Sequence, residues 1–89
     1  MQIIFLKAFS NDLDKLKNKQ VSQSLLDIIS EIKKANSIQE INNLVKLQGY
    51  KNAYRVRIGE YRLGAFIEGN TVELAGLLPR KDIYRYFPK

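Results

Sequence analysis

Residues 54–62 read Tyr-Arg-Val-Arg-Ile-Gly-Glu-Tyr-Arg: an alternating run, a Gly-Glu pair, and the run resumed. This is the pattern of a β-hairpin. Alternation sends Tyr54, Val56 and Ile58 to one face of a strand and Arg55 and Arg57 to the other. Gly59-Glu60 makes a compact turn, glycine tolerating the positive φ that tight hairpins need. The apolar face requires a cover, and the opposite face is lined with arginine. All five arginines, Arg55, Arg57, Arg62, Arg80 and Arg85, lie from residue 55 onward, while the first half carries its positive charge on lysine alone. The planar guanidinium fork grips phosphate and carboxylate. The C-terminal half therefore presents a surface to an anion. With a net charge of +6, nucleic acid is the first anion to consider, though an anionic membrane surface or an acidic protein would also be attracted.

The rest of the chain supplies the cover. Residues 2–6 are a β-branched and aromatic run that reads as a buried strand. Ser10 offers an N-cap to a short helix over about 10–19, with acidic residues in its first turn. A second helix over about 21–35 carries Val21, Leu25, Ile28, Ile29 and Ile32 as one stripe and ends on Lys33 and Lys34. Helices joined so closely form an antiparallel hairpin. Ser37-Ile38-Gln39-Glu40 has capping-box spacing and predicts a further short turn of helix. Residues 44–49 lead out of the helical half. Strands follow at 54–58, 61–67 and 71–78, and beyond Pro79 comes a terminal turn or short helix. The expected architecture is β-αα-βββ, α+β in class: an antiparallel sheet of about four strands packed against an N-terminal helical hairpin. At 89 residues the chain is one domain, 1–89, burying about 60–65% of its unfolded surface.

Absences narrow the chemistry. There is no Cys and no His, which removes thiolate nucleophiles, serine-type triads, histidine acid–base pairs and Cys- or His-ligated zinc. Catalysis, if present, runs on Tyr, Lys, Arg and carboxylates. No metal or cofactor is implied. The opening Met1-Gln2-Ile3-Ile4-Phe5-Leu6 lacks a basic n-region and is too short for a signal or a membrane span, so a cytoplasmic protein is expected.

Three fragments in order, Leu44 to Gly49, the 54–63 hairpin and Pro79-Arg80-Lys81-Asp82-Ile83-Tyr84, resemble the RelE/ParE superfamily of bacterial toxins. There a Y-R-(V/L)-R-x-G-(D/E)-Y-R hairpin precedes a closing R-(K/R)-(D/E)-(I/V)-Y segment, and the resemblance covers nearly the whole chain. It implies a toxin encoded beside a small, acidic antitoxin that binds it in a heteromeric complex. RelE-like members cleave mRNA on the ribosome, so ribosome and mRNA are implied partners, and a membrane is not. Carried over by position, Arg62, Arg80 and Tyr84 form the implied catalytic set. Arg55 and Arg57 take two basic positions that are often lysine in ribonuclease members. With Lys51, Lys81 and Arg85 they make the implied RNA-binding set. Many relatives of this subtype carry His before the closing Arg, where this chain has Pro79.

The implied reaction is attack of an RNA 2′-hydroxyl on its own phosphodiester. It needs a proton removed, phosphorane charge stabilised and a proton given to the leaving 5′ oxygen. Arginine forks suit the middle task. Tyr84 is the one group of this set able to act as a base, since guanidinium does not deprotonate in proteins. Two other readings stay open on the sequence. One is a ParE-like inhibitor of DNA gyrase without catalytic activity. The other is a degenerate, non-toxic member that still binds antitoxin.

Overall fold

The computed structural model describes residues 1–88. Five strands form one sheet: β1 (Gln2–Phe5), β2 (Leu44–Lys46), β3 (Ala53–Ile58), β4 (Tyr61–Glu68) and β5 (Thr71–Pro79), in the order β1-β5-β4-β3-β2. Three helices accompany them, α1 (Lys7–Lys15), α2 (Lys19–Lys34) and α3 (Arg80–Tyr86), with a 3₁₀ turn at Ile38–Glu40. The α+β class and the element order match the expectation. The strand count does not: three-residue β2, pairing Leu44–Lys46 with Tyr54–Val56, is too short to read from periodicity. Nor is the sheet purely antiparallel. β1 runs parallel to β5, Gln2 against Thr71 through Phe5 against Leu74.

That parallel pairing overturns the reading of residues 2–6 as a buried strand. β1 is an edge strand, with Ile4 45% and Phe5 51% exposed. Phe5 stacks on Phe9, ring centroids 5.8 Å apart, which covers one side of it. The first helix also begins earlier than its sequence suggests. Leu6 stands at its N-cap and makes no side-chain cap bond, so Ser10 lies inside the helix. Of its two acidic residues, Asp12 has a different task. Leu6 N–H continues the β1–β5 ladder to Leu74, and beyond it the Asp12 carboxylate accepts from Leu77 N–H at 2.9 Å. α1 thus seals the part of β5 that short β1 leaves open. Asn18 caps α2 by accepting from Val21 N–H at 3.1 Å. At Ser37 the capping box is not formed, because the serine makes no cap bond to the 3₁₀ turn.

The main core lies between the sheet and α1/α2. Phe9, Leu25 and Ile32 from the helices meet Val56, Leu63 and Leu74 from the strands, all at 2% exposure or less. The alternation read in 54–58 holds: Val56 and Ile58 are buried and Tyr54 packs against the same core. A second, smaller cluster lies on the other face. Here α3 drops Ile83 and Phe87 onto Ala53, Phe66 and Leu78. Seven residues are too few for an isolated helix to persist. Burial of Ile83 and Phe87, about 1.5–3 kcal/mol each, holds α3 on the sheet. That placement leaves part of this face open for the arginines.

A candidate anion-binding site on the open sheet face

The site begins at the β3–β4 hairpin. Ile58 pairs with Tyr61 across a two-residue turn, and Gly59 takes φ +58°, as the first central position of a type II′ turn requires. The next pair inward is Arg57 opposite Arg62, both on the face away from α1 and α2. Arg55 follows two residues along on the same face, opposite Gly64. The turn also fixes the start of α3, because Arg80 N–H donates to Glu60 C=O at 2.8 Å. Tyr84 lies one helical turn beyond Arg80 and therefore on the same side of α3. An open cleft of about 620 Å³ is lined by Glu60, Pro79, Arg80, Lys81 and Tyr84.

Arg62 organises the group. It is 7% exposed, unusual for a residue type that is seldom fully buried without a partner. Its Nη1 donates to the carbonyls of Gly59 and Tyr61, both at 2.9 Å, so half of its head is spent on holding the turn. No buried side-chain nitrogen or oxygen among the described residues lacks a hydrogen bond. Nε and Nη2 have no bond among those residues and are therefore not fully sealed from solvent. The guanidinium is held below its ordinary pKa by burial first, then by Arg57, Arg55 and Arg80, with Tyr84 opposing them. Three cations and no carboxylate push on it. A charge in that position is relieved by an anion.

The structure brings together Arg55, Arg57, Arg62, Arg80 and Tyr84. Arg55 is half-buried; Arg57, Arg80 and Tyr84 are exposed. Lys81 joins the cleft beside Arg80, and Arg85 is exposed one position past Tyr84. Lys51 is apart from them. It precedes Asn52, whose carbonyl receives Ile67 N–H at the opposite end of the sheet from the 59–60 turn. Glu73, a conceivable cross-strand partner for Arg55 or Arg57, pairs instead with Phe66 and Ile4. Among the described residues no three His, Cys, Asp or Glu side chains gather as a metal site. None of the described helices is long and apolar enough to cross a membrane.

Fold and site together define a class: a small α+β domain, one sheet face sealed by helices, the other holding an uncompensated guanidinium cluster beside a tyrosine. No protein-family model matches the chain. It is similar to toxin RelE3 of Methanocaldococcus jannaschii, 36% identical over 99% of this chain and all of that protein. Among solved structures, a chain of the RelB–RelE antitoxin–toxin complex from Methanococcus jannaschii aligns at TM-score 0.80 and 35% identity, covering 96% of this chain and 99% of that one. A chain of the archaeal RelE–RelB complex from Pyrococcus horikoshii shares the fold, with TM-score 0.70 and 20% identity over 91% and 96%. The chain belongs to the RelE family of toxins of type II toxin–antitoxin systems.

Proposed function

We propose that this toxin is a ribosome-dependent mRNA endonuclease, acting as one domain over residues 1–89 in the cytoplasm and inhibiting translation. One observation carries the reading: Arg62, its Nη1 fixed to the turn and its Nε/Nη2 edge unbonded among the described residues, is pressed by three other arginines next to Tyr84. That edge matches two oxygens of one phosphodiester. Arg80 supports the same phosphate from the start of α3, and Arg55, Arg57, Lys81 and Arg85 hold the flanking backbone. Tyr84, reacting as its phenolate, takes the proton of the 2′-hydroxyl and becomes the neutral phenol. The 2′ oxygen bonds to phosphorus, the P–O5′ bond breaks, and the leaving 5′ oxygen takes a proton from water. The products are a 2′,3′-cyclic phosphate and a 5′-hydroxyl. The ribosome supplies the bent mRNA geometry that places the 2′ oxygen in line, work that no side chain of the cluster performs. No metal or cofactor enters the scheme.

The same surface explains control. The relatives were crystallised as RelE with RelB. An antitoxin here is small and acidic, and its carboxylates occupy the arginine cluster in a heteromeric complex. The test adds purified toxin to ribosomes programmed with mRNA and maps 5′ ends by primer extension. New ends within the A-site codon are expected. Arg80→Ala should reduce them by roughly 100-fold or more, as loss of one transition-state donor does, and Tyr84→Phe should abolish them. Intact message with active ribosomes would overturn the proposal.

A further inference from the structure

We infer that Gly64 and Gly76 are positioning residues: a cross-strand glycine pair forms the seat on which α3 is mounted, and so sets where Tyr84 stands. The inference rests on the endonuclease reading for its consequence, though not for its geometry. The two glycines face each other across β4 and β5, at the point where the ladder shifts register between Gly64 and Ala65. Neither adopts a positive φ. Backbone conformation therefore does not demand glycine at either place, and strand interiors disfavour it. Space demands it. A Cβ on Gly64 would lie 2.7 Å from Cδ2, 2.8 Å from Cγ and 2.9 Å from Cε2 of Phe87. Three atoms of one ring at that range leave no small adjustment. A Cβ on Gly76 would meet Ile83 Cδ1 at 3.3 Å, a tight contact that a flexible side chain can yield to.

Phe87 and Ile83 are the two buried anchors of α3, and each sits over one glycine of the pair. The other end of the helix is tied by Arg80 N–H to Glu60 C=O. α3 is thus fixed at two points, with Tyr84 between them and 48% exposed. Phe87 is further held against Phe66, ring centroids 5.0 Å apart. Lifting the ring off its seat tilts the helix about Arg80 and moves Tyr84 away from Arg62. The Arg62 fork itself stays in place, because it is secured through the hairpin turn.

The test is Gly64→Ala in the full chain, followed by single-turnover mRNA cleavage on programmed ribosomes and by hydrogen exchange of backbone amides. The cleavage step should slow by roughly 100-fold, the cost of displacing a reacting group by about an ångström, with ribosome binding unchanged. α3 amides should exchange faster while those of β3, β4 and β5 keep their protection. Combining Gly64→Ala with Phe87→Leu, which removes the rigid ring, should recover about tenfold of the loss through direct coupling of the two sites. Parental cleavage and parental α3 exchange in Gly64→Ala would overturn the inference. So would a loss of the same size in the Phe87→Leu background accompanied by deprotection of the strands, which would mark general damage to the sheet. Should the parent chain itself fail to cleave, the endonuclease reading falls, and α3 exchange in the same variants still decides whether the glycine pair is the seat.

Discussion

Arg57 and Arg62 stand directly opposite each other across the β3–β4 ladder, like charges in a position where cross-strand neighbours interact most strongly. One is exposed and the other buried, and the buried guanidinium is held below its ordinary pKa by burial first and by its neighbour next. A fold that keeps such a pair holds potential energy for an anion.

Arg57→Thr should therefore stabilise the free protein while weakening its hold on RNA. The expected gain is about 0.2–1 kcal/mol, the usual size of a cross-strand pair. It is measured by denaturant titration at low ionic strength and should shrink as salt screens the pair. A net loss of stability would mean that Arg57 contributes packing that outweighs the repulsion.

Salt dependence separates the arginines that touch phosphate from basic residues that merely share the surface. On single-stranded RNA each phosphate contact adds about 0.7 to the slope of log affinity against log salt. Arg55→Gln and Arg80→Gln should each reduce that slope by about 0.7. Lys51→Gln, at the far end of the sheet, should leave it unchanged.

The pH response of this site carries no histidine step, because the chain has no histidine. A profile of cleavage against pH should lack the inflection near about 6.5 that an imidazole gives. Arg62 does not restore one. Its folded-state pKa is lowered, so its charged form costs stability, and the cost is relieved only as pH rises through that folded value, on the far alkaline side. Around neutrality the cost is constant. An imidazole-like step in the cleavage profile would show that a different group controls the reaction.

Asp12, half-buried, carries part of the fold through its bond to Leu77. Asp12→Ala leaves Leu77 N–H without its acceptor and should cost about 1–3 kcal/mol in unfolding free energy. Ser10→Ala, at the residue whose sequence suggests a cap, should change little, since the helix begins at Lys7 and Ser10 lies inside it. Equal losses for the two variants would indicate a role for Ser10 that its place within the helix does not show.

The hairpin was the most legible element, because alternation, a Gly turn and resumed alternation constrain one another. Val56 and Ile58 are buried and Arg57 exposed as the period demands. The clustering of Arg80 and Tyr84 with the hairpin was not legible from periodicity. It depends on a backbone bond from Arg80 to Glu60 and on the docking of α3, both long-range. The burial of Arg62 was equally hidden, since periodicity says nothing of the turn folding back to use its Nη1. β1 is ambiguous in the sequence for a related reason: an apolar run of four or five residues looks the same whether its neighbours lie on two sides or one. Exposed Phe5 is tolerated because Phe9, one helical turn into α1, stacks on it. Ser10 and Ser37 have the right spacing for caps, yet neither caps, which shows how weak a spacing argument is when the chain path before the helix is set elsewhere.

The parallel pairing of β1 with β5 has a consequence in time. Gln2 waits for Thr71, and Leu6 for Leu74, before the first strand has any partner in the sheet. Closure over so long a span comes late, after the local hairpins have formed. A chain emerging from its amino end therefore has no completed sheet until β5 has been made, and α3, with Arg80 and Tyr84, is made later still. The residues of the proposed chemistry on α3 thus join a sheet whose strands have all been made already.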